Sequence, residues 1–261
     1  MSGLIETGDG CHISWRADGD ANAVAVILSN SLGTDMTMWD ALVPVLAEQF
    51  RVVRYDSRGH GGSDAPPGGY SIDRLGRDVL ELADALGITQ FSFCGLSLGG
   101  MIGQWLGWRS PERLRSLVIA NSSPYMGPPS GWDARIRTVR QGGTIAIAQA
   151  TLERWFSASF RVDPANTAAV LARFVETPVR GYAGCCAAIR DMDMRALLPL
   201  IQTPTLVIGG TQDPATPPYH TALLTSRING AECVMLDAAH LSNVERPAEF
   251  NEAVIDFLTR T

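Results

Sequence analysis

The sequence contains no lysine, and all 21 of its basic residues are arginines. Schiff-base aldolases, pyridoxal-phosphate enzymes and P-loop nucleotide-binding proteins each depend on a lysine amine. The absence of lysine therefore excludes these three classes. The arginines form no dense cluster, and the net charge is −6, so we expect no nucleic-acid partner.

Long apolar runs and paired cysteines are also missing. No apolar stretch approaches the length of about 20 residues that spans a membrane, and Met1–Glu6 lacks the basic and apolar regions of a secretory signal. We therefore expect a soluble cytoplasmic protein. The five cysteines are odd in number and show no C-x-x-C spacing, which predicts neither disulfides nor a metal site. They are expected to be reduced core residues, and only the adjacent Cys185 and Cys186 leave a special role open.

The order of strand and helix patterns predicts an α/β fold. Two stretches of alternating apolar and polar residues flank Gly8–Gly10 and predict a hairpin at an edge of the sheet. Helical patterns alternate with the later strands. Such alternation predicts a mostly parallel, eight-stranded sheet with helices on both faces. After the hairpin arms, the predicted strands are Ala23–Leu28, Arg51–Tyr55, Gln90–Cys94, Leu114–Ala120, Pro204–Gly209 and Ala231–Leu236.

The alternation stops between residues 124 and 194, where only helical patterns occur. We interpret this segment as a helical cap inserted after the sixth strand, so that residues 1–123 and 195–261 form the core domain. Arginines outnumber acidic residues in the segment, whereas the rest of the chain has an excess of acidic residues. A cationic cap on an acidic body suggests a small anionic substrate.

The strongest motif is Gly95-Leu96-Ser97-Leu98-Gly99, which lies between a predicted strand and a predicted helix. A Gly-x-Ser-x-Gly sequence in this setting is typical of a strained turn that exposes a nucleophilic serine. The flanking glycines allow the turn to pack closely against its neighbours. Ser97 is therefore our candidate nucleophile.

Partners for Ser97 are expected beyond the carboxyl ends of the later strands, where reactive groups collect in a parallel sheet. Asp213 and His240 each leave such a strand on a loop, and the order Ser, Asp, His fits a hydrolytic triad. His240 would take the serine proton, and Asp213 would orient the imidazole. The other histidines fit less well: His12 lies in the hairpin, His60 in an earlier loop and His220 at the start of a helix.

The oxyanion that forms during attack by a serine needs two preorganised donors. The backbone N–H of Leu98 follows the nucleophile directly, and that of Leu32 lies in the loop after the first buried strand. We expect these two groups to form the oxyanion hole. The glycine-rich loop from Asp56 to Asp64 is expected to be structural, held by Arg58 and Asp64.

Taken together, these residues make the chain resemble the α/β-hydrolase superfamily, and within it the 3-oxoadipate enol-lactonases. Most hydrolases of this type carry His-Gly in the oxyanion loop, where this chain has Asn30-Ser31. The resemblance rests on the Gly95–Gly99 motif, the loop Asp56–Gly61, Asp213, His240, the loop Ser29–Asp35 and the segment Gly184–Asp191.

This resemblance implies a serine hydrolase that opens an enol-lactone to 3-oxoadipate in the catabolism of aromatic compounds, without a metal or organic cofactor. The carboxylate of such a substrate needs a cation. Candidate residues in the cap are Arg135, Arg154 and Arg190, with Trp132 and Trp155 as apolar walls. Any single one of these arginines can instead be a solvated side chain on a helix surface.

Other functions remain open on the sequence alone. Carboxylesterases, perhydrolases and carbon–carbon bond hydrolases of the same fold use the same triad, and a ligand receptor can retain it without turnover. A haloalkane dehalogenase is excluded because its nucleophile is an aspartate, whereas this chain has Ser97. The chain is expected to be a monomer or a small homo-oligomer.

Overall fold

The computed structural model describes residues 1–261 and contains one sheet of eight strands. The spatial order is β1-β2-β4-β3-β5-β6-β7-β8; β2 pairs antiparallel with both β1 and β4, and all other neighbours pair parallel. The predicted α/β architecture with a hairpin at one edge is thereby confirmed. The strands are β1 Ser2–Glu6, β2 His12–Asp18, β3 Ala25–Ser29, β4 Arg51–Tyr55, β5 Phe91–Leu96, β6 Leu114–Ala120, β7 Thr205–Gly210 and β8 Glu232–Leu236.

The central strands form the core because helices cover both of their faces. Every residue of β3 and of β5 is buried, which matches their nearly continuous apolar sequences. β8 lies at the far edge and is mostly accessible to solvent. Cys233 lies on this strand and is exposed, so the expectation that all five cysteines are core residues is wrong for this one, while the other four are buried.

Ten α-helices accompany the sheet. The apolar spacing of α2 gives it one buried face, which contains Leu75, Val79 and Leu82. The helices are α1 Val43–Leu46, α2 Ile72–Ala85, α3 Leu98–Arg109, α4 Pro129–Gly142, α5 Ala148–Trp155, α6 Ala165–Glu176, α7 Val179–Asp191, α8 Pro218–Arg227, α9 Ser242–Glu245 and α10 Pro247–Arg260. None of them is both long enough and apolar enough to cross a bilayer.

The helical spacing between Trp39 and Phe50 corresponds to two short pieces rather than one helix. A 3₁₀ turn covers Met36–Trp39, and α1 begins only at Val43. Pro44 lies in the first turn of α1 and has no N–H to bond to a preceding turn, so a continuous helix is interrupted there.

Helices α4–α7 lie between β6 and β7, where the sequence predicts only helices. The segment leaves and rejoins the sheet at one place, because the N–H of Met194 donates a 2.8 Å hydrogen bond to the carbonyl oxygen of Pro124. The division into a cap of residues 124–194 and a core of 1–123 and 195–261 stays a prediction about domain organisation.

Candidate active site

Ser97 lies on a sharp turn between β5 and α3. Its backbone has φ 58° and ψ −111°, a region that non-glycine residues rarely adopt and that costs about 1–3 kcal/mol. Two glycines make the turn possible: a Cβ on Gly95 would lie 2.2 Å from the backbone of Gly99, and one on Gly99 would lie 2.1 Å from the carbonyl oxygen of Ser29. The sequence thus folds here into a strained elbow that presents a serine.

Asp213 and His240 follow β7 and β8, and their side chains are in direct contact. Nδ1 of His240 lies 2.8 Å from Oδ2 of Asp213, and both side chains are almost completely buried. Burial opposes ionisation of the carboxyl group, but the charge and hydrogen bond of His240 and the donors of Thr216 hold the pKa of Asp213 well below its usual range. An ionised Asp213 can therefore orient the ring and stabilise its cation.

The Ser97 hydroxyl and the His240 ring line the same cavity, which places the nucleophile and the base at one site. No hydrogen bond joins Ser97 to His240, whereas the bond between Asp213 and His240 is formed. The contact between a nucleophile and its base is often long without substrate and tightens when substrate binds. The structure therefore brings the three predicted residues to one rim of the sheet, with the serine contact still open.

The backbone N–H groups of Leu32 and Leu98 have no acceptor within the protein. Leu32 lines the cavity together with Ser97, and Leu98 is the first residue of α3. The loop that carries Leu32 is joined to the elbow, because the N–H of Gly99 donates to the carbonyl oxygen of Asn30 at 3.0 Å. Two free donors beside a serine are what an oxyanion hole requires.

The cavity has a volume of about 520 Å³ and is closed on one side by helices α4, α5 and α7. Four of the five predicted substrate-binding residues line it: Trp132, Arg135, Arg154 and Trp155.

Arg190 does not line the cavity, which corrects one of the predictions made from the sequence. Its guanidinium is bound by Asp133 at 2.9 Å and by Asp191 at 2.7 Å. Ile189 faces the cavity instead. Successive residues of an α-helix point about 100° apart, so Arg190 is turned away from the cavity and towards these two carboxylates.

The two arginines in the cavity have no acidic partner. Arg135 donates to the hydroxyl groups of Tyr182, at 2.8 Å, and Thr151, at 3.2 Å, and both of these groups are neutral. Arg154 has neither an ion pair nor a hydrogen bond, and partial desolvation together with the charge of Arg135 lowers its pKa. No aspartate or glutamate lines the cavity. The cavity therefore carries positive charge, which an anionic ligand would compensate.

Sequence reasoning missed the side chains that hold the predicted triad residues in place. Asn121 donates to Oδ2 of Asp213 at 3.0 Å and to the carbonyl oxygen of Ala239 at 3.2 Å. Thr216 donates to Asp213 from its hydroxyl and its backbone, at 2.7 and 2.9 Å. Asp followed three residues later by Thr is a recognisable side-chain turn, and Asn121 directly follows a strand, so both carried a signal in the sequence.

Two of the other histidines, and Arg58 of the glycine-rich loop, make contacts that do not involve Ser97, Asp213 or His240. His12 is exposed and pairs with Asp64, and His220 binds the hydroxyl of Ser123 at 2.9 Å. Arg58 forms hydrogen bonds with Asp9 and Asp78.

A family model for the alpha/beta hydrolases matches residues 26–253. With the fold and the site in agreement, the chain belongs to the α/β-hydrolase family. It is a hydrolase that resembles 3-oxoadipate enol-lactonases.

Three relatives show how close this similarity is. The 3-oxoadipate enol-lactonase 2 of Acinetobacter baylyi is 40% identical over 243 residues, which cover 93% of this chain and 91% of that protein. The crystal structure of the enol-lactonase from Burkholderia xenovorans LB400 matches with a TM-score of 0.96 at 43% identity, covering 98% of this chain and all of that one. A protein of Rhizobium rhizogenes, provisionally named carbamate hydrolase RutD, is 35% identical over 245 residues, 91% of this chain and 93% of that protein.

Proposed function

We propose that the protein is a serine hydrolase that opens 3-oxoadipate enol-lactone to 3-oxoadipate in the catabolism of aromatic compounds. The observation that carries this proposal is the pair Arg135 and Arg154, which lack acidic partners and line the cavity that also contains Ser97 and His240. A small lactone with one carboxylate suits the cationic character of this cavity, and the volume of about 520 Å³ has room for it. The similarity to enol-lactonases supports the same substrate.

In the first half of the reaction, Ser97 attacks the lactone carbonyl while His240 takes the hydroxyl proton. The negative charge that forms on the carbonyl oxygen is stabilised by the N–H groups of Leu32 and Leu98, each worth about 3 kcal/mol of the barrier. Asp213 stabilises the imidazolium that forms at His240.

Ring opening then expels the enol oxygen and leaves an acyl-enzyme on Ser97. His240 returns its proton to this leaving group, which becomes a ketone. In the second half, His240 removes a proton from water, the resulting hydroxide attacks the acyl carbon, and Ser97 is released with its proton restored. These steps need no group beyond the side chains and backbone donors described above.

The rival substrates are neutral esters, carbamates, peroxide in a perhydrolase reaction, and carbon–carbon bonds beside a carbonyl. All of them can use the same triad, so the chemistry alone does not separate them. The two arginines favour an anionic substrate over a neutral ester, because a neutral ester has no group to compensate a pair of cations that lack acidic partners.

The test compares two arginine variants on two substrates. In a spectrophotometric assay with freshly prepared enol-lactone, Arg154→Met should lower kcat/KM about 10-fold to 100-fold, the value of one hydrogen bond to a charged group. Turnover of p-nitrophenyl acetate, which is neutral, should change less than about 3-fold. Arg190→Met is the matched control and should change neither activity, because Arg190 is bound to Asp133 and Asp191 outside the cavity.

Ser97→Ala should abolish turnover of both substrates. Brisk ester or carbamate turnover with an inert enol-lactone would refute the proposed substrate. Equal kinetics of Arg154→Met and the parent on the lactone would refute the role of the arginine.

A further inference from the structure

The loop that carries Leu32 is held at both ends by hydrogen bonds. On the side before Leu32, Asn30 donates from its side chain to the carbonyl oxygen of Tyr55 at 2.9 Å and accepts from the indole of Trp39 at 2.8 Å. These bonds fix where the loop leaves β3. They leave the N–H of Leu32 free.

On the side after Leu32, the bonds come from the glycine-rich loop. The N–H of Gly33 donates to Nε2 of His60 at 2.9 Å, and the N–H of Met36 donates to a carboxylate oxygen of Asp56 at 2.7 Å. Gly33 has φ 83°, and the rings of Phe174 and Tyr182 lie against its Cα, so the loop has little room to shift. His60 is therefore the group that fixes the residue next to the proposed oxyanion donor.

His60 is chemically suited to accept this bond. Its side chain is buried, and burial lowers the pKa of the ring to about 4 against the opposing effects of the Arg58 carbonyl and Asp35. At neutral pH the ring is therefore uncharged. Nδ1 lies 3.3 Å from the carbonyl oxygen of Arg58 and carries the hydrogen, which leaves Nε2 as an acceptor for Gly33.

We propose that His60 is a positioning residue for the oxyanion hole: by accepting the N–H of Gly33, it holds the free N–H of Leu32 in the direction that the developing oxyanion requires. This inference rests on the proposed serine hydrolase chemistry, but not on the identity of the lactone. It assigns a role in the reaction to a histidine that lies outside the triad.

A positioning role differs from a purely structural one in what it changes. The oxyanion exists only in the transition state and in the tetrahedral intermediate, so misplacing Leu32 lowers kcat and leaves KM nearly unchanged. It also weakens a boronic acid that forms a tetrahedral adduct with Ser97, because that adduct places a hydroxyl group in the same hole. A structural defect far from the oxyanion hole would not produce this combination of a lower kcat, a nearly unchanged KM and a weaker boronic acid.

The experiment compares His60→Gln with His60→Leu in the full-length protein. The Gln side chain can place its amide oxygen near the position of Nε2, whereas Leu removes the acceptor. With p-nitrophenyl acetate, His60→Leu should lower kcat about 10-fold to 100-fold at nearly constant KM, and the Ki of phenylboronic acid should rise by a similar factor. His60→Gln should recover kcat and Ki to within about 3-fold of the parent.

A second variant keeps the test decisive if His60→Leu does not fold. His60→Asn keeps a polar side chain of smaller size, but its amide ends near the position of Nδ1 and does not reach Gly33. It should show the same loss as His60→Leu. Folding of each variant is verified by circular dichroism and urea unfolding.

A folded His60→Leu or His60→Asn that retains the parent kcat and boronate affinity would overturn the proposal. So would a Gln variant that is no better than Leu. Failure of the substrate assignment looks different: the enol-lactone would be inert while ester turnover still required Ser97 and still depended on the acceptor at position 60.

Discussion

The carboxamide nitrogen of Asn121 lies 3.0 Å from Oδ2 of Asp213 and donates a hydrogen bond to it. The same nitrogen lies 3.2 Å from the carbonyl oxygen of Ala239, the residue before His240. The amide oxygen of Asn121 accepts from the hydroxyl of Ser242 at 2.6 Å. One fully buried side chain at the end of β6 therefore links the carboxylate to the loop that carries the imidazole.

Removing this link should reduce turnover. In Asn121→Ala, Asp213 loses one donor and the loop before His240 loses its anchor, so we expect kcat to fall about 10-fold to 100-fold. The free energy of unfolding should fall by about 1–3 kcal/mol, because buried polar groups lose partners. Asn251→Ala is the control, since Asn251 also donates to a backbone carbonyl, that of Ala41, but outside the triad. Comparable kcat values in the two variants would contradict this role of Asn121.

The elbow at Ser97 should not tolerate a methyl group at Gly95. A Cβ there would lie 2.2 Å from both the carbonyl carbon and oxygen of Gly99, and backbone atoms cannot move aside cheaply. We expect Gly95→Ala to lose about 3 kcal/mol or more in urea unfolding, or to be insoluble. Gly131→Ala should be neutral or more stable by up to about 1 kcal/mol, because the Cβ meets nothing within 4 Å and the residue lies in the first turn of α4. Equal stability of the two variants would contradict this account.

Burial of His60 should make the protein less stable in mild acid. The pKa of His60 is lowered from 6.5 to about 4, so between these pH values the unfolded chain binds a proton that the folded chain does not. The free energy of unfolding therefore falls as the pH drops through this window, by about 3 kcal/mol in total. The measurement is urea unfolding at several pH values between 7 and 4.

A matched pair of variants isolates this effect. His60→Gln should lose the part of the pH dependence of the unfolding free energy that comes from His60. His12→Gln should retain that part, because His12 is exposed. An unchanged slope in His60→Gln would show that the ring does not remain neutral on folding.

Buried and exposed ion pairs should differ strongly when the arginine is removed. Arg58 is 3% exposed and bonds both oxygens of Asp78, at 2.6 Å each, so Arg58→Leu leaves a buried carboxylate with only Arg74 nearby. We expect a loss of about 3–5 kcal/mol in the free energy of unfolding. Arg77→Leu removes a half-exposed pair with Asp73 and should cost about 0.5 kcal/mol or less. Similar losses of stability in both variants would show that the charge of the buried Asp78 carboxylate is compensated by a group other than Arg58.

The parts of the fold that follow from local pattern could be predicted from the sequence. β3 and β5 are continuous apolar runs because both of their faces are covered, and the glycines of the elbow mark a turn that larger residues cannot adopt. The rule that reactive groups follow parallel strands then selected Asp213 and His240, whose side chains meet at 2.8 Å. These inferences need only neighbouring residues and the strand order.

What could not be predicted depends on how distant segments meet. The composition of the cap does not reveal that Arg154 faces the cavity while Arg190 turns towards Asp133, because that depends on the rotation of α5 and of α7 about their axes. The bond between Asn121 and Asp213 joins residues 92 positions apart. The local sequence marks the position of Asn121 after a strand, but not these contacts, since each contact arises only when the helices and strands have packed.

The hydrogen bond between Met194 and Pro124 means that the segment bearing Arg135 and Arg154 begins and ends at a single point of the sheet. The arginines that we propose to select the substrate are thus encoded in one uninterrupted block, and the residues that we propose to break the ester bond lie outside it. Grafting the corresponding block of a relative onto this scaffold would exchange the specificity and keep the reaction. If the exchange succeeds, insertion at one point would be a route by which selectivity can change without rebuilding the catalyst.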